Sequence, residues 1–253
     1  MRIVLVIIFS TVLFGCSTDE VIPCSGEGLN GQLCRAYRFY NEDGIGFTEY
    51  NYQGDTLVIS EIYDTDSRLQ KTVVQRLANN QTVAITEQFP AAESRVKTFH
   101  YNEIDSLFLV VYGANDSSLV INYENGKRKT EDMVIESEVM ARKEYRYFQD
   151  DGELYRISFY LGTDSLLSYQ NYDYFTSNGV NQYRVSVYNP DFSLVGRRLF
   201  SFTQDGLIKT MEFRLADNQI SATDNYIYDG SGMLQELQSQ RNGATSKTVY
   251  VYH

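Results

Sequence analysis

The chain has 253 residues, a net charge of −11 and a pI near 4.7, and such an acidic surface repels phosphate backbones, which argues against nucleic-acid binding. Apolar residues make up 43%, with 21 Tyr and 14 Phe but no Trp and only 3 Pro, a composition that folds and suits a half-buried pleated surface. The length allows one large β domain or two small ones.

Arg2 is the single charge before the apolar runs IVLVIIF and VLF. That stretch is too short to span a bilayer as a helix, which needs ~20 apolar residues. A basic start, a short apolar region and a small residue at its end mark a secretory signal over residues 1–15. Its end, Leu13-Phe14-Gly15-Cys16, resembles the lipobox of bacterial lipoproteins. That resemblance implies cleavage before Cys16, a diacylglycerol on its thiol and an acyl group such as palmitate on the new amine. Two or more acyl chains hold a domain at a membrane, each buried CH₂ contributing ~0.8 kcal/mol. Ser17 after the cysteine resembles outer-membrane sorting. Asp19 and Glu20 look like the acidic tag by which Bacteroidetes-type bacteria send lipoproteins to the cell surface.

Residues 16–35 read as a lipidated linker and cap. With Cys16 lipidated, Cys24 and Cys34 remain as an even pair in an oxidising compartment, and the glycine-rich segment between them can bend into a disulfide.

From residue 36 to 253 the chain repeats itself. An aromatic residue is followed four positions later by a turn residue: Tyr40/Gly44, Tyr63/Ser67, Phe89/Glu93, Tyr112/Asp116, Phe148/Gly152, Phe175/Gly179, Phe202/Gly206 and Tyr228/Gly232. A second turn, rich in Asn, Asp, Gly and Ser, comes 10 to 12 residues after each first one. Between turns, YRISFYL, YRVSVY and TVYVYH alternate with period 2, the pattern of strands. Only KTEDMVIESEVMARKEY, from Lys129 to Tyr145, reads as an insertion able to hold a helical turn or two. Short connections force antiparallel neighbours. The expected fold is all-β: a long antiparallel meander of about 17 strands, since eight two-strand units and a closing strand fit this spacing. So many twisted strands must coil, close or split. A coiled open sheet is expected, capped by the disulfide-tied segment at one end and with Thr248–His253 as the free edge. A β-propeller is the alternative, and a transmembrane barrel comes third, because charges such as Lys127, Arg128, Lys129, Arg197 and Arg198 interrupt the apolar band that lipid would need.

The segment YIYDGSGMLQELQSQRNGATSKTVYVYH, Tyr226 to His253, resembles the YD repeats of the RHS family, with its Y-x-Y-D-x-x-G-x-L core, later NG turn and next Y-x-Y. RKEYRYFQDDGEL and RLFSFTQDGLI are looser copies, and only Tyr228-Asp229 keeps the YD pair in frame. The resemblance implies a coiled β-sheet, and in large family members a hollow shell.

Chemistry is sparse. His100 and His253 lack partners at metal spacing, and no nucleophile-elbow, zinc-protease or phosphate-loop motif occurs. Acidic pairs such as Asp64/Asp66 fall at turns, where Asp bonds its own backbone. No metal or cofactor is expected. Tyrosines stand in alternating rows, and Tyr145, Tyr147, Tyr172, Tyr174, Tyr226 and Tyr228 are the candidate ligand contacts, since Tyr gives rigid amphipathic contact area. The same rows also serve as cross-strand ladders. The expected function is a non-catalytic binding or scaffold module of the envelope, held at the outer membrane by its lipid and facing the periplasm or the cell surface. Its ligand would be a glycan or a protein, and nucleic acid is not expected. Alternatives are an envelope- or glycan-directed hydrolase and an accessory of an RHS-like toxin system.

Overall fold

The computed structural model describes residues 32–113, 116–150, 152–177 and 179–253. The signal segment, Cys16 and Cys24 lie outside them. Cys34 is disulfide-bonded, and its partner, expected to be Cys24, lies outside the described residues.

Eighteen strands follow one another without a helix among the described residues. They are β1 (Leu33–Tyr40), β2 (Asp43–Gln53), β3 (Leu57–Tyr63), β4 (Leu69–Ala78), β5 (Gln81–Phe89), β6 (Ala92–Tyr101), β7 (Leu107–Tyr112), β8 (Ser117–Glu124) and β9 (Lys127–Ile135). Then come β10 (Glu138–Tyr147), β11 (Leu154–Leu161), β12 (Ser165–Ser177), β13 (Val180–Tyr188), β14 (Leu194–Phe202), β15 (Ile208–Leu215), β16 (Ile220–Tyr228), β17 (Leu234–Arg241) and β18 (Ala244–Tyr252).

Every strand pairs antiparallel with its sequence neighbours, and β1 also pairs with β18, from Leu33↔Tyr252 to Tyr40↔Ser246. The meander is thus closed into an 18-stranded barrel. This corrects the open coiled sheet and its alternative, the propeller. Thr248–His253 is no free edge: Thr248 faces Arg38 on one side and Leu237 on the other. Closure satisfies the backbone groups that an open ribbon leaves at both edges. The stretch read as a helix-bearing insertion is the β9–β10 hairpin, turning on Glu136 and Ser137, both at positive φ.

Followed round the ring, the cross-strand register slips by about one residue per strand. With ~4.8 Å between strands and ~3.3 Å per residue, that slip gives a tilt of about 35° and, for a circular section, a Cα radius of about 17 Å. Each strand approaches only its two sheet neighbours, and no large side chain among the described residues is fully enclosed. A ring of that radius leaves a lumen that the side chains of the described residues do not fill.

Alternation separates two faces. On one, charges pair across and along strands: Arg142 with Asp132 at 2.7 and 2.9 Å, Arg146 with Glu144 at 3.0 Å, and Arg184 with Asp173 at 3.0 Å. On the other lie the buried apolar residues Ala36, Val110, Ile121, Ile157, Val185 and Ala222. Side chains on alternate strands also interact there: Tyr50 with Tyr250 across β1, Tyr226 with Tyr250 across β17, and Tyr123 with Tyr147 across β9. Concave curvature brings such residues together, so this second face is the inner one. It too carries charges, such as Glu131, Lys143 and Asp224. Neither face therefore offers the uninterrupted apolar band that a membrane barrel presents to lipid.

The turns sort by end. At one end even-numbered strands hand over to odd ones, and both termini meet there, the His253 N–H donating to the Gln32 carbonyl at 2.9 Å. At the other end odd strands hand over to even ones. A five-residue loop recurs at both ends, at 64–68, 102–106, 189–193, 203–207, 215–219 and 229–233. Its fourth residue takes positive φ in each case, namely Ser67, Asp105, Phe192, Gly206, Asn218 and Gly232. In the last loop Asp229 Oδ1 accepts the Ser231 and Met233 N–H groups at 2.8 and 2.9 Å. Asp229 and Gly232, two marks of the YD-like core, thus each have a local backbone role.

Candidate functional site

Near the end that holds the termini, the inner face carries an aromatic girdle. Each even-numbered strand except β4 reaches this level with an aromatic residue, usually two spaced i, i+2. They are Tyr50/Tyr52, Phe99/Tyr101, Tyr123, Tyr145/Tyr147, Tyr172/Tyr174, Phe200/Phe202, Tyr226/Tyr228 and Tyr250/Tyr252. Period-2 alternation sets both members of a pair on one face. In β4 the corresponding residues are Gln75 and Leu77.

All six tyrosines expected as ligand contacts lie on this girdle, and they fall into three separate places. Tyr172 and Tyr174 sit with Tyr183, whose ring lies 6.0 Å from that of Tyr174 and 4.3 Å from that of Phe200, stacked on the latter. Tyr226 and Tyr228 adjoin Tyr250. Tyr145 and Tyr147 stand over a charged cluster. The sequence reading missed Tyr50, Tyr52, Tyr183, Tyr250 and Tyr252 as members of the same surface. The Y-x-Y spacing in YNYQG and VYVYH, which matches that of the six, finds four of them; Tyr183, in YRVSVY, has no such neighbour, and its ring contacts place it there.

Burial pushes up the hydroxyl pKa values of Tyr50, Tyr52, Tyr172, Tyr183, Tyr226, Tyr228, Tyr250 and Tyr252. Burial also dominates at Tyr145, reinforced by its hydrogen bond to Glu131. These phenols stay neutral throughout the physiological range.

Hydroxyls of this girdle also bond to the backbone. Tyr101, Tyr123, Tyr228 and Tyr252 donate to the carbonyls of Thr82, Leu107, Ile208 and Leu234 at 2.7–2.9 Å, each on the preceding strand. Tyr228 is therefore a structural lock whose ring alone faces the lumen. Tyr172 donates to Gln170 Oε1 at 3.1 Å, an amide on the same face.

The charged cluster centres on Glu131, 6% exposed. Lys143 Nζ lies 2.8 Å from its Oε2, and Arg128 Nη1 bonds its Oε1. Burial alone would raise the Glu131 pKa. Hydrogen bonds from Lys143 and Tyr145, with the charges of Lys143 and Arg128, outweigh burial and lower it. The other inner carboxylates also face cations: Glu87 is 2.9 Å from Lys71, and Asp224 is 3.4 Å from Arg241. Among the described residues no three His, Cys, Asp or Glu come close enough together to hold a metal ion. His100 is exposed, 3.5 Å from Thr98 Oγ1.

No family model and no curated protein matches the chain. Among solved structures it is similar to a porin-like protein of Bacteroides uniformis ATCC 8492 (TM-score 0.47, 12% identity, 89% of this chain and 98% of that one). A porin-like protein of Bacteroides vulgatus ATCC 8482 gives a TM-score of 0.29 at 10% identity over 87% of this chain and 98% of that one. The TcdB2-TccC3-Cdc42 complex gives 0.34 at 12% identity over 83% of this chain, but only 16% of that one.

Proposed function

We propose that this protein is a lipid-anchored, non-catalytic binding module of the bacterial cell envelope, and that its barrel holds an extended glycan against the inner aromatic girdle. One observation carries the reading: aromatic rings recur at one level around a hollow interior, with amides such as Gln170 beside them. Flat rings next to hydrogen-bonding groups suit the apolar faces and hydroxyl edges of sugars. The pairing of Glu131 and Glu87 with cations, which lowers both pKa values, supports a non-catalytic role, because a glycosidase needs one carboxyl kept protonated as the acid. The lipobox-like segment ending at Cys16 supports the anchor and the outer-membrane location.

The test uses the full chain in detergent on a glycan array, followed by calorimetry with the best ligand. Tyr172→Ala with Tyr183→Ala is expected to weaken binding by about tenfold or more. Undiminished affinity in that variant, or release of new reducing ends from the bound glycan, overturns the reading. For the anchor, Cys16→Ala is expected to move the protein from the membrane to the soluble envelope fraction.

A further inference from the structure

At the barrel end opposite the termini, we infer a docking surface for a cationic, apolar-bearing protein segment, built on four consecutive turns from β9–β10 to β15–β16. This surface is distinct from the lumen. Phe192, 73% exposed, stands at its centre, with Met140, Leu161, Leu167, Val195 and Ile220 also exposed around it.

The repeat itself does not require these side chains. Strands at both ends open with a bulge at an equivalent place. On this arc the bulged residues are Met140, Leu167, Val195 and Ser221, and at the other end the same place holds Val83, Phe108 and Tyr155 as well as Lys129, Lys209 and Gln235, so the position accepts polar and apolar side chains alike. Phe192 is the clearer case. It occupies the positive-φ place of the recurrent five-residue loop, at φ 69°, where the other loops use Gly, Asn, Asp or Ser. A bulky side chain in that region is strained. Its ring meets Tyr169 edge-on with 6.1 Å between centroids, yet most of it faces water. A residue unfavourable both in its backbone and in its solvation points to a role outside folding.

Charge selects the occupant. Segments 136–138, 162–164, 189–193 and 216–219 contain Glu136, Glu138, Asp164, Asp191 and Asp217 and no Lys or Arg. The nearby cations Arg142 and Arg197 are engaged by Asp132 and by Asn218 Oδ1. An apolar arc fringed with carboxylates complements a segment bearing Lys or Arg beside apolar anchors. The same fringe repels anionic lipid and a second copy of itself.

The probe is a synthetic peptide of alternating Lys and Leu, with a Glu/Leu peptide of equal length as counterpart, titrated against the full chain. The Lys/Leu peptide is expected to bind in a salt-sensitive way. Phe192→Gly is expected to weaken it by about tenfold or more without lowering Tm, whereas Ile104→Ser, at an equally exposed site on the other end, leaves it unchanged. Leu161→Ser with Leu167→Ser is expected to weaken it likewise and keeps the test open should Phe192→Gly fold poorly. Equal binding by the rim variants, or by the Glu/Leu peptide, overturns the proposal. So does a self-association or a vesicle binding that Phe192→Gly abolishes, since the occupant would then be a second copy or a lipid surface.

Discussion

The phenol of Tyr228 donates to the carbonyl of Ile208 at 2.9 Å, and Tyr252 repeats the bond to Leu234 at 2.7 Å. Each ties the end of an even strand to the start of the preceding odd one. Tyr228→Phe is expected to cost about 1 kcal/mol, the net worth of one hydrogen bond. Tyr101→Phe and Tyr123→Phe should behave alike, and distant pairs should add. Shifts of the urea midpoint at constant slope check this. No loss in any of the four removes the lock.

Closure depends on the β1–β18 ladder. Thr248 stands between Arg38 and Leu237, inside the sheet on both sides. Thr248→Pro removes a ladder donor there and is expected to destabilise by about 3 kcal/mol or more. The same proline in the open coiled sheet would sit at an edge and cost little. Thermal melts of the two proteins separate the cases.

Gly46 has φ +126°, and a Cβ there would meet the Tyr63 carbonyl oxygen at 2.2 Å. The bare glycine also lets Arg38 cross β2 and donate to that carbonyl at 3.1 Å. Gly46→Ala is expected to cost about 2–4 kcal/mol through strain and the displaced arginine. A melt within a degree of the parent would show that the crossing is dispensable.

Glu131 has a lowered pKa in the fold, so its contribution is present above the unfolded value of about 4.3 and is lost as pH falls through the folded value. Glu131→Gln is expected to destabilise by about 1–3 kcal/mol at pH 7, with the gap to the parent closing below about pH 4. Denaturant titrations across that range measure it. A gap that persists into acid would mean that packing, rather than charge, is lost.

The inner phenols act at the other extreme. Their raised pKa values contribute stability that is full below the unfolded value of about 10 and is lost as pH rises through the folded values. Alkaline unfolding is expected to start above about pH 10. The phenolate absorbance near 295 nm should rise together with loss of the β-sheet circular dichroism. Ionisation well before unfolding would contradict their burial.

The sequence by itself determined the strands, their antiparallel order and most turns, because these depend on neighbours along the chain. Gly152, Gly179, Gly206 and Gly232 all take positive φ at reversals, as their spacing demands. It was less clear where a turn lacks glycine: Glu136 and Ser137 both adopt positive φ, and the charges around them resembled a helix. The Y-x-Y spacing placed the six tyrosines on one face, but which face is concave depends on curvature summed over the whole sheet. Only the tertiary structure decided closure. The register slip accumulates across every pair and brings β1 to β18, more than two hundred residues away in sequence, and no local pattern encodes that sum. The ring also decided that the aromatic rows look inward on a hollow, while exposed apolar side chains gather on one rim.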